Sequence, residues 1–208
     1  MNVLHQLASA LNRRDEVPNQ DLAKNIAEAD DKNAVKELVE NLENKDKNIQ
    51  SDCIKVLDEI GKLKPKLISE HIDKLLALLN HKNNRLQWGA MAAINAVANE
   101  NLKAVYDALP QIISSADKGS VITNDHCVGI LIKLCAKKEY AEDAFSLLNE
   151  RLLKSQTNQL PMYAEMALSI INGQNKAVFI RTLTARLPEI EKDTKRIRVE
   201  KVIKKIGA

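Results

Sequence analysis

The amino-acid sequence predicts an all-α protein in which helix pairs stack one on another in a single row. Three observations predict this fold class. An apolar stripe with helical spacing returns every 37 residues, and a residue suited to begin a helix returns at the same interval. The chain of 208 residues also contains only six Gly and five Pro, too few for the many turns of a β-rich protein.

Three columns of apolar residues make up the stripe, and each column steps by 37 residues along the chain. The columns are Cys53, Ala90, Cys127 and Ala164; Leu57, Ile94, Leu131 and Leu168; and Ile60, Val97, Leu134 and Ile171. Within each copy the spacing is four residues and then three, which places the side chains on one face of an α-helix. We call this helix the B helix of each copy.

The predicted starts of the B helices repeat in the same register. They are Asp46, Asn83, Ser120, Thr157 and Thr194. The side-chain oxygen of each of these residue types can accept a hydrogen bond from a free N–H group in the first turn of a helix. Five such residues in register therefore predict the start of the same helix in five successive copies.

A second apolar stripe precedes each B helix and predicts an A helix. Its residues are Val35, Leu38 and Leu42 in the first copy, Ile72, Leu75 and Leu79 in the second, Leu109 and Ile112 in the third, Phe145, Leu148 and Leu152 in the fourth, and Ile180, Leu183 and Leu187 in the fifth. One helix pair cannot bury two apolar faces, whereas stacked pairs cover each other. The stripe returns because the same contact is made at every layer.

The two ends depart from the period, as the capping units of a repeat protein do. We expect two N-terminal capping helices in residues 1–29, four repeats in residues 30–173 and a basic C-terminal capping repeat in residues 174–208, all in one domain over residues 1–208. The apolar residues of the caps are Leu4, Leu7 and Leu11 for the first helix, Leu22, Ala23 and Ile26 for the second, and Val199, Val202, Ile203 and Ile206 for the C-terminal helix.

The repeats resemble those of the HEAT family, which are close relatives of armadillo repeats. A HEAT unit often has Pro in or near its A helix, as in ALPQII (108–113). Its B helix begins with apolar and basic residues, as in IQSDCIKVLDEI (49–60) and RIRVEKVIKKI (196–206), although Gln50 and Gln87 stand where the family has Arg. The resemblance spans roughly residues 30–206. It implies a right-handed α–α superhelix, a HEAT-like solenoid of about six antiparallel helix pairs.

Charge is distributed unevenly along the chain. Residues 174–208 carry ten Lys or Arg against four acids, a net charge of +6, which leaves −3 for the first 173 residues of a chain with a total of +3. The three cysteines, Cys53, Cys127 and Cys135, are odd in number and form no CxxC pair, which indicates reduced thiols in a cytoplasmic protein. No apolar run approaches the ~20 residues that cross a membrane, so we expect no membrane association.

Motifs that carry enzymatic chemistry are absent from the sequence. The four His residues are scattered, and there is no HExxH, Walker loop, GxGxxG or GxSxG. Enzymes of the HEAT-like kind that bind iron use His-Glu dipeptides, and this chain has none. We therefore expect no enzymatic activity, no cofactor and no metal site.

Two surfaces are candidates for binding. In a stacked helical solenoid the B helices line the concave side, and their outward positions form the usual contact surface. The candidate residues there are Lys55, Trp88, Asp125, Met162 and Met166. Trp and Met are favoured at contact surfaces. A basic patch near the C-terminus forms the second candidate, with Arg196, Arg198, Lys201, Lys204 and Lys205.

These features favour a monomeric, non-enzymatic scaffold or adaptor that binds a protein partner along the concave face. The alternative is a nucleic-acid-binding protein, whose enzymatic version is a HEAT-like DNA glycosylase of the alkylation-repair sort. Such an enzyme needs a basic groove with aromatic residues and a carboxylate. Trp88 and Asp125 supply two of these features, but the middle of the chain is not basic.

Overall fold

A computed structural model describes residues 3–207, and over these residues all regular structure is helical. The α-helices of this part of the chain are α1 (Val17–Ala29), α2 (Lys32–Glu40), α3 (Lys47–Leu63), α4 (Pro65–Ile68), α5 (Ile72–Ala77), α6 (Asn84–Val97), α7 (Leu102–Asp107), α8 (Leu109–Lys118), α9 (Val121–Cys135), α10 (Ala141–Lys154), α11 (Leu160–Ala167), α12 (Lys176–Arg186) and α13 (Asp193–Gly207). The predicted all-α repeat fold is confirmed. The B helices are α3, α6, α9, α11 and α13.

The chain divides into two compact units, the first ending at Cys127 and the second beginning at Val128. In the first unit α3 packs against α1, α2 and α6, and α5 packs against α6. In the second unit α11 packs against α13, and α12 packs against both α10 and α13. The organisation as one domain with four central repeats stays a prediction.

The predicted apolar columns form the core of both units. In α3 and α6, Cys53, Leu57, Ile60, Ala90, Ile94 and Val97 are all 0% exposed. The next members, Cys127, Leu131, Leu134 and Ala164, are equally buried. The spacing of four and three therefore predicted a buried helix face correctly in these copies, because residues with that spacing lie on one side of an α-helix.

Three of the five predicted helix starts are confirmed. The carboxylate of Asp46 accepts a hydrogen bond from the backbone N–H of Asn48 at 2.8 Å, and the side chain of Asn83 accepts one from Arg85 at 3.0 Å. At the third start the Thr123 N–H donates to Ser120 Oγ at 3.4 Å, while the Ser120 N–H donates to Thr123 Oγ1 at 2.9 Å. Each of these side chains satisfies an N–H group that the helix leaves free.

The predictions for Thr157 and Thr194 are wrong. Helix α11 begins at Leu160, with Pro161 in its first turn. A helix that began just after Thr157 would place Pro161 in its interior, where the missing N–H is required. Thr194 lies inside α13, which begins one residue earlier at Asp193, an acid suited to the positive end of a helix.

The late start of α11 also alters the fourth copy of the stripe. The helix ends at Ala167, and a 3-10 turn follows over Leu168–Ile170. Leu168 and Ile171 are consequently only half-buried, and Ile170 is buried in their place. The last two positions predicted for this copy are therefore wrong.

The first of the two predicted N-terminal helices is absent. The structure has a 3-10 turn over Val3–Gln6 instead, and Leu11 is 51% exposed. Side chains of other elements replace the helical hydrogen bonds. Asn19, in α1, accepts from the Ala8 N–H at 3.0 Å, and Asp52, in α3, accepts from the Ser9 N–H at 2.8 Å. The second predicted helix is α1, in which Leu22, Ala23 and Ile26 are buried.

A repeated side-chain amide ties each A segment to its B helix in the second and third copies. Gln87 Nε2 donates to the Leu79 carbonyl at 2.7 Å, and 37 residues later Asn124 Nδ2 donates to the Ala116 carbonyl at 2.9 Å. Both carbonyls lie at the end of an A segment, where a helix leaves carbonyls free. The Gln that departs from the HEAT pattern therefore has a structural role.

Candidate interaction surface

An open groove of about 470 Å³ lies on the first unit between α3 and α6. It is lined by Glu16, Ser51, Ile54, Lys55, Asp58, Lys62, Arg85, Trp88, Gly89, Ala92, Ile122 and His126. We call it the Trp88 groove. Its apolar part consists of Ile54, Trp88, Ala92 and Ile122, and charged side chains surround that part. Two B helices and the start of a third therefore supply most of the surface.

Gly89 allows the close approach of α3 and α6 beneath this groove. A Cβ atom added at Gly89 would lie 2.6 Å from Cγ1 and 2.9 Å from Cγ2 of Ile54. The neighbouring Trp88 is half-buried, so part of its indole ring faces the groove. The glycine thus lets two helices pack closely while the adjacent residue presents a large aromatic surface.

Four charged residues of α3 neutralise one another along the groove. Lys55 Nζ lies 2.5 Å from Glu59 Oε1, while Lys62 Nζ lies 2.7 Å from Asp58 Oδ2 and 3.1 Å from Glu59 Oε1. Burial opposes ionisation of Glu59, but hydrogen bonds from the two lysines outweigh it and lower the pKa of Glu59. Two lysines and two acids therefore leave little net charge on this side.

The opposite side of the groove is less constrained. Arg85 is exposed and forms no ion pair within residues 3–207. His126 lies on α9, and its Nδ1 is 3.2 Å from Nδ2 of Asn95. Ile122, also on α9, is 49% exposed and lines the groove. The groove therefore combines an apolar floor with a free cation at one end.

The structure brings together two of the five residues predicted for the concave face. Lys55 and Trp88 both line the Trp88 groove. Asp125 is half-buried on α9 and does not line it, although Ile122 and His126 of the same helix do. The sequence analysis did not identify Ile122. The feature that could have indicated it is that this apolar residue stands outside the repeated columns.

The other two predicted residues, Met162 and Met166, belong to the second unit. Met162 is half-buried, and Met166 is 39% exposed. Met166 lines a separate groove of about 730 Å³ with Glu165, Lys176 and Lys205. The structure thus places Met166 beside a member of the basic patch, which the sequence did not indicate.

Internal contacts use part of the basic C-terminal patch. Arg198 donates two hydrogen bonds to the Glu165 carboxylate, at 2.8 and 2.6 Å, and these raise the pKa of Arg198. Arg196 pairs with Asp193 and lies 4.0 Å from Glu200. Lys201, Lys204 and Lys205 are exposed. Three lysines of the five predicted residues therefore face solvent and form no ion pair within the described residues.

Residues 3–207 contain no candidate metal centre, and burial keeps two of their thiols protonated. No group of three or more His, Cys, Asp or Glu side chains there is arranged to hold a metal ion. Burial raises the pKa of the Cys53 and Cys135 thiols to about 12, which keeps them protonated and unreactive. None of the described helices has the length and apolar character needed to cross a bilayer.

No family model matches the chain, and no curated protein matches it. Solved structures do. An engineered protein is similar with a TM-score of 0.62 and 18% identity, covering 100% of this chain and 97% of its own. A second engineered protein has a TM-score of 0.62 and 23% identity, covering 99% of both chains. A designed armadillo repeat protein solved in complex with peptide (KR)4 has a TM-score of 0.63 and 16% identity, covering 98% of this chain and 99% of its own. At these identities the likeness shows that the fold is an armadillo-like helical repeat.

Proposed function

We propose that this protein is a non-enzymatic scaffold that binds a peptide segment of a protein partner in the Trp88 groove. One observation carries the proposal: the only Trp of the chain is half-buried and lines an open groove that also has apolar neighbours. Trp residues in such positions supply a large share of binding energy at protein interfaces. A similar fold in a designed armadillo repeat protein holds a peptide, which supports a peptide as the occupant.

The lining of the groove suits a peptide. Ile122 is 49% exposed and, with the Trp88 ring, offers apolar surface that can bury an apolar side chain of the ligand. The surrounding lysine, arginine and carboxylate groups can exchange hydrogen bonds with a peptide backbone at the rim. The finer parts of the proposal are a HEAT-type repeat, a monomer and a cytoplasmic location. The three free thiols, of which Cys53 and Cys127 are buried, support the last of these.

The test uses full-length protein and a peptide display library. Peptides captured by the wild-type chain are expected to change its intrinsic fluorescence, since Trp88 is the only source of indole emission. Trp88→Ala should weaken their binding about tenfold or more, as for a central aromatic contact. Its melting temperature should fall by about 4 °C or less. Leu153→Ala is the control, because Leu153 is 46% exposed and lies in the second unit. Capture that is equal for wild type and Trp88→Ala would remove the groove from the proposal.

Nucleic-acid binding is the second candidate, and the exposed Lys201, Lys204 and Lys205 favour it. Binding through these lysines requires an affinity that falls steeply with salt, because neutralised phosphates release counterions. A gel shift with duplex DNA that depends on salt and disappears when all three lysines become Gln would support this candidate. The expected result is no shift near physiological salt, because Arg196 and Arg198 are already paired with acids.

A further inference from the structure

A second, larger groove lies beside the Trp88 groove in the first unit. It has a volume of about 1070 Å³ and is formed by the turns NKDKN (44–48) and NHKNN (80–84) with the first residues of α3 and α6. We call it the turn groove. The described residues that line it include six side-chain amides, one Ser, one His and four cations, with no acidic and no apolar side chain among them.

The cations of the turn groove are free to bind a ligand. They are Lys45, Lys47, Lys82 and Arg85. All four are exposed, and none forms an ion pair within the described residues. The one acid in these turns, Asp46, accepts a hydrogen bond from the Asn48 N–H at the start of α3. This surface is therefore positive although the first 173 residues carry a net charge of −3.

The two grooves share part of their lining. Ser51 and Arg85 line both of them, so the apolar floor beside Trp88 and the basic surface are separated by no more than these side chains' own width. The turn groove also contains the first turns of α3 and α6, whose positive ends add to the attraction for anions. A single extended segment can occupy both grooves.

We propose that the peptide bound in the Trp88 groove carries a run of Asp or Glu residues next to its apolar anchor, and that this run occupies the turn groove. This inference rests on the proposed function. The apolar anchor contacts Trp88, and the acidic run pairs with Arg85 and the three lysines. Side-chain amides along the turns supply further donors for the carboxylates.

A peptide fits this surface better than nucleic acid does. The turn groove has no aromatic side chain among the residues that line it, and bases of a single strand require such a surface for stacking. The neighbouring Trp88 groove has an apolar floor, which a charged phosphate backbone does not bury favourably. The inferred ligand also differs from the basic peptide (KR)4 of the designed armadillo repeat protein, since no acidic side chain is among the residues that line the turn groove.

Three display libraries test the inference with full-length protein. Each library joins a randomised apolar segment to a fixed block of four Glu, four Gln or four Lys residues. Enrichment is expected from the Glu library, and peptides taken from it should bind at least about tenfold more tightly than their Gln counterparts. Equal or stronger binding of the Gln or Lys counterparts, still dependent on Trp88, would overturn the inference while leaving the proposed function standing. If no peptide from any of the three libraries binds in a Trp88-dependent manner, both the inference and the proposed function are overturned.

Charge-matched variants locate the acidic run. Lys45→Gln, Lys47→Gln and Lys82→Gln together should weaken the Glu-block peptide about tenfold and flatten its salt dependence. The control combines Lys32→Gln, Lys66→Gln and Lys118→Gln, three exposed lysines of the same unit outside both grooves, and should change affinity less than about twofold. Equal losses in the two triple variants would show a general charge effect and refute the location. Loss of duplex DNA binding in the first variant, with peptide binding intact, would assign the turn groove to nucleic acid instead.

Discussion

Replacement of Arg186 by Met should destabilise the second unit strongly. The Arg186 side chain is only 6% exposed, and its guanidinium donates to the carbonyls of Leu152 and Leu153 at 2.6 Å and of Ser155 at 2.8 Å. A fourth hydrogen bond reaches Glu189 at 2.8 Å. Arg186, on α12, thereby satisfies the carbonyls that α10 leaves free at its C-terminus.

The expected loss of stability depends on the hydrogen-bond acceptors that Met leaves without a donor. Each hydrogen bond from a charged donor contributes about 1.5–3 kcal/mol, but burial of the guanidinium offsets part of that gain. Met fills similar volume and cannot donate, so the carbonyls of Leu153 and Ser155 lose the guanidinium, while the Leu152 carbonyl keeps a hydrogen bond from Ser155 Oγ at 3.2 Å. We expect a loss of about 2–5 kcal/mol in the free energy of unfolding, because each buried polar group left without a partner costs about 1–3 kcal/mol. Arg186→Lys should lose less, because an ammonium group can retain some of the bonds.

The measurement is urea denaturation followed by far-UV circular dichroism, which reports helices of both units. Trp88 fluorescence, followed in the same samples, reports the surroundings of Trp88 in the first unit. Arg181→Met is the matched control, because Arg181 is exposed on the same helix, and its effect should stay within about 0.5 kcal/mol. A loss below about 1 kcal/mol for Arg186→Met, less than a single unsatisfied carbonyl is expected to cost, would refute the capping role of the guanidinium.

Three further predictions concern the core and the thiols. Leu131→Ala should cost about 2–5 kcal/mol in chemical denaturation, because Leu131 is 0% exposed; a loss below about 0.5 kcal/mol would show that the column is not buried there. Gly89→Ala should lower the free energy of unfolding by about 1–3 kcal/mol, because the added Cβ meets the β-branched and fully buried Ile54. Urea denaturation followed by Trp88 fluorescence measures this change. A gain in stability, which helix propensity alone predicts, would contradict the close packing. Burial raises the pKa of the Cys53 and Cys135 thiols to about 12, so both should resist iodoacetamide in the folded protein at about pH 8 and react in denaturant; alkylation of the native protein would contradict this burial. Because the unfolded thiols ionise near their ordinary pKa of 9.0, the free energy of unfolding should fall as pH rises from 9.0 towards 12.

The sequence predicted the fold well wherever the repeat was regular. Cys53, Leu57 and Ile60 recur as buried residues 37 positions later, because stacking imposes the same contact on every layer. Prediction failed where one residue changed the start of an element. Pro161 shifts the beginning of α11, and both the expected cap at Thr157 and the end of the stripe are lost. A periodic sequence pattern does not reveal such a shift, because the apolar residues of this copy still recur at the predicted positions.

The N-terminal segment failed for a different reason. Leu4, Leu7 and Leu11 have helical spacing, yet only Leu7 is fully buried. Asn19 and Asp52 bind the backbone of Ala8 and Ser9, and Asn19 Nδ2 also donates to Asp52 at 2.9 Å. These long-range hydrogen bonds compete with a short helix that is marginal by itself. Local periodicity contains no information about them.

The sequence predicted only the part of the candidate binding surface that lies on helices, and the part that lies on turns was not predicted. The sequence treats NKDKN and NHKNN as separate solvated connections, but Lys45 and Lys82 are 37 residues apart and so occupy equivalent places in adjacent repeats. Stacking brings them into one groove. The next equivalent position is Gly119, where an added Cβ would lie 2.5 Å from Thr123 Oγ1 and 2.7 Å from the Ser115 carbonyl oxygen. The capping arrangement of Ser120 and Thr123 therefore leaves no room for a third lysine, and the basic surface is confined to the first two repeats. A ligand that recognises it needs only a short acidic run, about as long as two adjacent turns can contact, which is why a block of four Glu residues is the appropriate probe.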